Sequence, residues 1–519
     1  MTDKEKFYIT TSIPYLNGSP HLGFALEAVQ ADAIARYERS SGKDVFFLSG
    51  TDEHGVKVAR AAEAESKDPR EFVDEKSALF SELLKKLSIT NDLFIRTTDK
   101  ELHWPGVEAL WKKMAESGDI YKGFYSGFYC VGHEAFITSK DIADGVCALH
   151  KKAPEKIEEE NYFFKLAKYA PEIKKLIQSG GVKILPEWRI PEIINMLEDI
   201  PDISFSRPSK DLAWGIPVPG DNSQTIYVWA DALPNYITGL GYGRGGVNYQ
   251  KYWPADMHVI GKDIVKFHAV FWLGMLLSVG LPLPKNIFIH GFINVKGEKM
   301  SKSIGNVIDP FPLIEKFGAD AVRFYLLNEI STFSDGDYND GHFNDVYNGN
   351  LVHGVGNLLS RVLKMMSSYT EIPKPKEEDL TRFPFRKDLD FLSVSRKAVS
   401  IEEVSPSFLA DNILWPYYRS EMDKFELASA SQAVWAFLRK LDEYIEDYKP
   451  YKLLKTEEES AKIILWHLAY SLVSAAWMIK PFLPETSDKI LHALGVSAES
   501  QEPWAKFTAK ETMHLFPKI

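Results

Sequence analysis

The chain has 519 residues, 45% of them hydrophobic and 26% charged, with a formal net charge of −11 and two cysteines. At about 150 residues per domain, this length predicts two to four domains, each with its own core. The composition excludes a disordered, coiled-coil or collagen-like chain, the net charge argues against broad nonspecific binding of nucleic acid, and two cysteines exclude a disulfide framework.

The first six residues hold no apolar stretch of the kind a secretory signal needs. Phe7-Tyr8-Ile9-Thr10-Thr11 reads as a strand. Residues 22–39 follow with apolar side chains at Leu26, Val29, Ala33, Ile34 and Tyr37, a helical spacing. A second strand at 44–48 and a helix through 59–64 continue the alternation, which means βαβ units and a parallel sheet. From about 119 to about 224 the chain turns aromatic and Gly-rich. Alternation then resumes, with strands near 225–229, 257–260 and 286–290 and a helix over 264–279. The longest uncharged apolar run, 269–284, is broken by Gly274, Gly280 and Pro282 and reads as a buried helix, not a membrane span. The simplest account is an α/β fold: one doubly wound, Rossmann-like parallel sheet in two halves, 1–118 and 225–295, split by an inserted connective domain over 119–224. A linker region over 296–344 leads to an α-helical bundle over 345–519, in which the Pro- and charge-rich stretch 371–386 connects helices. A soluble, cytoplasmic protein is expected.

Two segments could carry chemistry. Pro14-Tyr15-Leu16-Asn17-Gly18-Ser19-Pro20-His21-Leu22-Gly23-Phe24 lies between the first strand and the first helix. Ligands of open α/β sheets bind beyond strand carboxyl ends, and a helix N-terminus there offers N–H groups and a positive dipole end to phosphate. Gly297-Glu298-Lys299-Met300-Ser301-Lys302-Ser303 is a Gly- and Ser-rich turn with two lysines three apart, suited to placing ammonium point charges on a polyphosphate. Taken singly, the first reads better as a capped loop and the second as a solvated basic turn.

Together, His-Leu-Gly-Phe and Lys-Met-Ser-Lys-Ser resemble, in order, spacing and βαβ setting, the two signatures of class I aminoacyl-tRNA synthetases. Thr51-Asp52-Glu53-His54-Gly55, Tyr227-Val228-Trp229-Ala230-Asp231-Ala232 and Ile260-Gly261-Lys262-Asp263-Ile264 are similar to blocks of the methionyl-tRNA synthetase family, and the likeness spans essentially the whole chain. The resemblance implies an ATP- and Mg2+-dependent ligation of L-methionine to its tRNA through a methionyl-adenylate. It implies that His21, Lys299 and Lys302 meet the phosphates, with His21 and Lys302 converging on one triphosphate. Tyr15 would take part in binding ATP, Gly23 and Glu27 would lie on the adenosine side, Gly261 and Asp263 on the ribose, and Asp52 on the substrate ammonium group. By the family pattern, Ile13, Tyr15, Trp229, Ala232, Leu233, Tyr236, Ile264 and His268 line the methionine pocket, where a polarizable thioether gains about 0.3–1.5 kcal/mol from each aromatic contact. One departure stands out. The family's first signature ends in a hydrogen-bonding residue, whereas Phe24 cannot donate to a phosphate oxygen.

Both cysteines carry a histidine three residues on, in Cys130-Val131-Gly132-His133 and Cys147-Ala148-Leu149-His150. For randomly placed histidines the double coincidence has odds of about 1 in 1,600. Four such donors in two pairs suit one structural, tetrahedral zinc per chain, in a knuckle at about 128–152. Gly241-Tyr242-Gly243-Arg244-Gly245-Gly246 fits the dinucleotide fingerprint, but the context fails: no strand directly precedes it, and 247–254 is expected to open no helix. In the C-terminal part the family reads the anticodon with a helix bearing Asn and Arg and with a Pro-Trp pair. Here Asn350, Asn357 and Arg361 take the first role and Pro450-Tyr451 the second, since Tyr can stack on an unpaired base.

Two alternatives remain at this stage. A class I synthetase for another aliphatic amino acid needs a large editing domain, because a pocket separates similar chains by only about 10–200-fold; the 119–224 insert is too small for one. A non-catalytic tRNA-binding paralogue is suggested by Phe24 and opposed by the intact lysine pair. Longer family members add a dimerising domain, so a monomer is expected.

Overall fold

The computed structural model describes residues 4–130, 135–137, 142–148, 152–300, 305–386, 404–496, 504–510 and 513–518. It divides into two units, 1–292 and 293–519.

The first unit is built on a six-stranded sheet. Its strands are β1 (Lys6–Thr11), β2 (Asp44–Thr51), β3 (Leu93–Arg96), β6 (Lys183–Leu185), β7 (Met257–Gly261) and β8 (Asn286–His290), in the order β3-β2-β1-β7-β8-β6. Every pairing is parallel, with Ile9 opposite Phe47 on one side and Met257 on the other. β1 and β7 are buried almost throughout, as strands covered on both faces must be. Helix α1 (Leu22–Ser40) follows β1 and packs on β1, β2 and β7. It is buried on nearly every side, and Ala25, Ala28, Ala31, Ala33 and Ala35 let its neighbours approach closely. Helices α2 (Val56–Ala64), α3 (Pro69–Lys86) and α4 (Trp104–Glu116) complete the first half. Chain order runs outward in opposite directions from β1 and β7, so a crevice opens between their carboxyl ends.

The expected insert contains a long antiparallel ladder of β4 (Ile120–Cys130) and β5 (Glu155–Phe164), in register from Ile120–Phe164 to Tyr129–Glu155. It does not stay separate through 224. β6 returns to the edge of the main sheet, where Ile184 pairs with Ile287. Short apolar strands of this kind are hard to assign from periodicity, because three residues complete barely one alternation. The Gly-rich decoy also needs a correction: Val247–Tyr252 is a short helix with Gly246 at its N-cap. The residues before it form a helical turn, Asn235–Thr238, so the fingerprint still lacks its strand. Gly243 is there for packing. It adopts φ +80°, and a Cβ would lie 2.8 Å from the Gly106 Cα.

The second unit begins with a hairpin, Ile293–Val295 against Glu298–Lys299, and continues through helices α6 (Pro310–Phe317) and α7 (Ala319–Phe324). A helical rod runs from Asp340 to α8 (Asn357–Met366), kinked at Gly354, where ψ is −108°. The long helices α9 (Leu427–Tyr448) and α10 (Glu458–Ile479) pack together, and α11 (Pro484–Ala493) closes the bundle. Arg323 on α7 donates to the carbonyls of Phe482 (2.7 Å) and Pro481 (2.8 Å), while Asp320 accepts from the Thr486 N–H (2.6 Å), so α7 holds both sides of the α10–α11 corner. Among the described residues only α10 is long and apolar enough to cross a membrane, and it is the buried core helix of this bundle.

Candidate active site at the sheet crevice

The loop after β1 is pinned to the end of β2 by backbone bonds: Asp52 N–H donates to Pro14 (3.0 Å) and Leu16 N–H to Asp52 (3.1 Å). Tyr15 and Asp52 thereby become neighbours across a parallel bridge. His21 is the N-cap of α1, its Nδ1 accepting from the Gly23 N–H at 3.0 Å. A neutral ring that accepts at Nδ1 carries its proton on Nε2, the form that donates to a phosphate oxygen.

Glu27, one turn further along α1, is 5% exposed and heavily engaged. It accepts from the Ser12 N–H (2.8 Å) and hydroxyl (2.7 Å) and from His290 Nε2 (3.0 Å). His290 Nδ1 lies 2.7 Å from the Gly291 carbonyl. Both ring nitrogens therefore face acceptors, which makes His290 an imidazolium. Burial alone would lower its pKa, but the Glu27 carboxylate carries it above the ordinary value. Gly261 sits at the end of β7 beside this pair. A Cβ there would lie 2.9 Å from Asp263 Oδ1 and 3.8 Å from His290 Nε2, so a larger residue would displace the Asp263 carboxylate. Glu27, Gly261 and Asp263 are thus brought together. His290 was missed by sequence reasoning, though its place as last residue of β8 offered a signal.

The residues expected around methionine also gather. Trp229, on the short helix α5 (Val228–Ala232), stacks on Phe267 at 3.7 Å between ring centroids and takes Tyr15 edge-on at 5.8 Å. Leu233 and Tyr236 belong to the same core, and Ile13, Tyr15 and Ile264 pack against it. Ala232 is buried beside them in sequence. Tyr236 donates its hydroxyl to His268 Nε2 (2.7 Å), and His268 Nδ1–H donates to the Ile264 carbonyl (2.9 Å). Burial lowers the His268 pKa to about 4, so the ring is neutral and brings no positive charge to the pocket. Trp229 Nε1–H is buried with no acceptor among the described residues, an unusual state for a buried donor.

Phe24 points elsewhere. It is 7% exposed and packs edge-on against Phe80 of α3, with centroids 5.0 Å apart. The departure from the family signature is a core contact between α1 and α3.

In the second unit, Lys299 is exposed on the hairpin, and the Asn306 side chain donates to its carbonyl (3.2 Å). Lys302 lies outside the described residues, as do His133 and His150. Cys130 and Cys147 are buried and pack in one small cluster with Ile142. No group of three or more His, Cys, Asp or Glu side chains disposed for a metal occurs among the described residues. Asn350, Asn357 and Arg361 follow one another along the rod, seven and four residues apart, with Asn357 exposed. Arg361 bridges to Asp442 (3.1 Å) and Glu446 on α9. Pro450 is buried and Tyr451 is 44% exposed just beyond the end of α9, next to the turn that bears Glu446.

Comparison with known proteins accords with this arrangement. A family model described as tRNA synthetases class I (M) matches residues 7–143 and 135–363, and one described as the anticodon binding domain of methionyl tRNA ligase matches 409–518. The methionine--tRNA ligase of Thermotoga maritima is 38% identical over 99% of this chain and 80% of its own length. That of Brucella suis is 39% identical over 96% and 93%. The structure of Mycobacterium tuberculosis methionyl-tRNA synthetase in complex with methionyl-adenylate superimposes with a TM-score of 0.88 at 36% identity, covering 99% of this chain and all of that one.

Proposed function

The chain belongs to the class I tRNA synthetases of the methionine type, and from that premise we infer that it joins L-methionine to tRNA in an ATP-dependent reaction. Methionine's carboxylate attacks the α-phosphate of ATP, releasing pyrophosphate and leaving methionyl-adenylate. The methionyl group then passes to the terminal ribose of the tRNA and AMP departs. The carrying observation is that family likeness extends over the whole chain, the crevice and the helical tRNA-binding part included.

The residue roles follow from charge and position. His21, at the positive end of α1, donates to the phosphates, and Lys299 and Lys302 stabilise the charge that builds on the departing pyrophosphate. Mg2+ accompanies ATP and offsets the same charge. Tyr15, Gly23 and Glu27 bound the adenosine, with Gly261 and Asp263 toward the ribose; His290 balances Glu27, which would otherwise repel the polyphosphate. Asp52 takes the substrate ammonium group, and the Trp229–Tyr15–Tyr236–His268 cluster receives the thioether. The helical part 345–519 reads the anticodon, with Asn350, Asn357, Arg361, Pro450 and Tyr451 as contacts. A single copy in the cytoplasm suffices for the reaction.

The expected result is pyrophosphate exchange into ATP driven by methionine alone among the standard amino acids. Exchange with leucine or cysteine would overturn the specificity, and no exchange at all would favour a tRNA-binding paralogue.

Cys130, His133, Cys147 and His150 would hold one structural zinc. Two thiols buried side by side fit that chemistry, and the metal would add to the stability of the β4–β5 insert. Elemental analysis should find about one zinc per chain, and Cys147→Ser should lower that content; full retention would remove the site.

A further inference from the structure

A buried carboxylate outside the reacting groups links the two halves of the methionine site. Asp231 is fully buried on α5, between Trp229 and Ala232. Its Oδ2 lies 2.6 Å from His54 Nδ1, and its Oδ1 lies 2.9 Å from His103 Nε2. His103 Nδ1 contacts Thr238 Oγ1 at 2.8 Å. His54 is 2% exposed, with its ring between the edges of Trp104 and Trp214. One carboxylate therefore ties three elements: the turn after β2, the start of α4, and α5.

The need for such a tether is physical. A helix of five residues has no independent stability, so its place is set by tertiary contacts alone. Yet α5 carries Trp229 and Ala232, whereas Asp52 stands two residues before His54 on the other side of the tie. An amino acid is recognised at both its ammonium group and its side chain, and the spacing between those two subsites must hold to a fraction of an ångström. Burial would raise the Asp231 pKa, but the two imidazoles hold it below the usual carboxylate value, so the tie is charge-assisted. All three side chains of the triad are buried.

We propose that Asp231 and His54 form a positioning pair for methionine recognition, setting the distance between the ammonium acceptor Asp52 and the Trp229 pocket. The inference rests on the methionine site proposed above. It predicts a split in kinetic constants that a general loss of stability would not produce. In pyrophosphate exchange, His54→Leu should raise KM for methionine by about 10-fold or more, the range for losing a hydrogen bond to a charged group. KM for ATP should stay within about twofold, because Gly261 ends β7 and Asp263 follows it, and β7 lies across β1 from the end of β2. His54→Asn, whose amide N–H takes the position of Nδ1, should restore most of the methionine affinity. If His54→Leu does not fold, His54→Phe, which keeps a ring between Trp104 and Trp214 but has no N–H, carries the same expectation. Asp52→Ala is measured alongside. Should it leave KM for methionine unmoved, the methionine site is misplaced and the positioning role falls with it. Should Asp52→Ala raise that KM while the His54 variants do not, or raise both KM values equally, the pair alone is overturned.

Discussion

Replacing Lys302 with alanine is expected to slow methionine-dependent pyrophosphate exchange by about 10²–10³-fold, the usual cost of removing one group that stabilises transition-state charge. The ammonium group meets its full partner only as the α-phosphate bond breaks and negative charge moves to pyrophosphate, so the loss should fall on the rate and not on KM for ATP. Lys302→Arg should recover only part of the activity. A planar guanidinium does not reproduce a compact point charge on a flexible stem. The melting temperature should hardly move, because the neighbouring Lys299 is an exposed hairpin residue and the loop base is closed by a bond from Asn306 to a backbone carbonyl. A rate within about 10-fold of the parent enzyme would assign the phosphate role elsewhere.

The second large effect is at His21, where two functions must be separated. His21→Ala should reduce exchange by about 10²-fold or more through the lost phosphate donor. It should also cost about 1 kcal/mol of stability, because the imidazole accepts from the Gly23 N–H as the cap of α1. His21→Asn resolves the two. Asparagine caps a helix well, so thermal stability should return, while its short side chain leaves the phosphate contact unmade. The case is sharper here than in relatives with a second hydrogen-bonding residue in this signature, since Phe24 is committed to Phe80. If His21→Asn exchanged at the parent rate, His21 would be a cap and nothing more.

Much of this was readable before any coordinates. The parallel sheet follows from apolar runs at β1, β2, β7 and β8, because strands covered on both faces have no polar side to show. The crevice follows from the signature after β1, because a strand end and a helix start meet there. Other features depend on distance across the fold. Nothing in the order of residues pairs His54 with Asp231, 177 positions away, or Glu27 with His290, 263 away. The orientation of Phe24 depends on the neighbouring α3, and β6 is too short to separate from the insert around it. The helix at Val247–Tyr252 went unforeseen because its aromatic and polar residues favour no single period.

The grip of α7 on the α10–α11 corner bears on how the protein can be dissected. A boundary drawn near 344 looks natural on paper, but a fragment ending there would lose the carbonyls that receive Arg323, a side chain with 0% exposure, and the amide that Asp320 accepts from. Stranding a buried charge in this way costs several kcal/mol, enough to unfold a small piece. Truncation meant to isolate the loop-bearing segment should therefore yield aggregates, and any minimal version must keep the distant carboxyl-terminal helices attached.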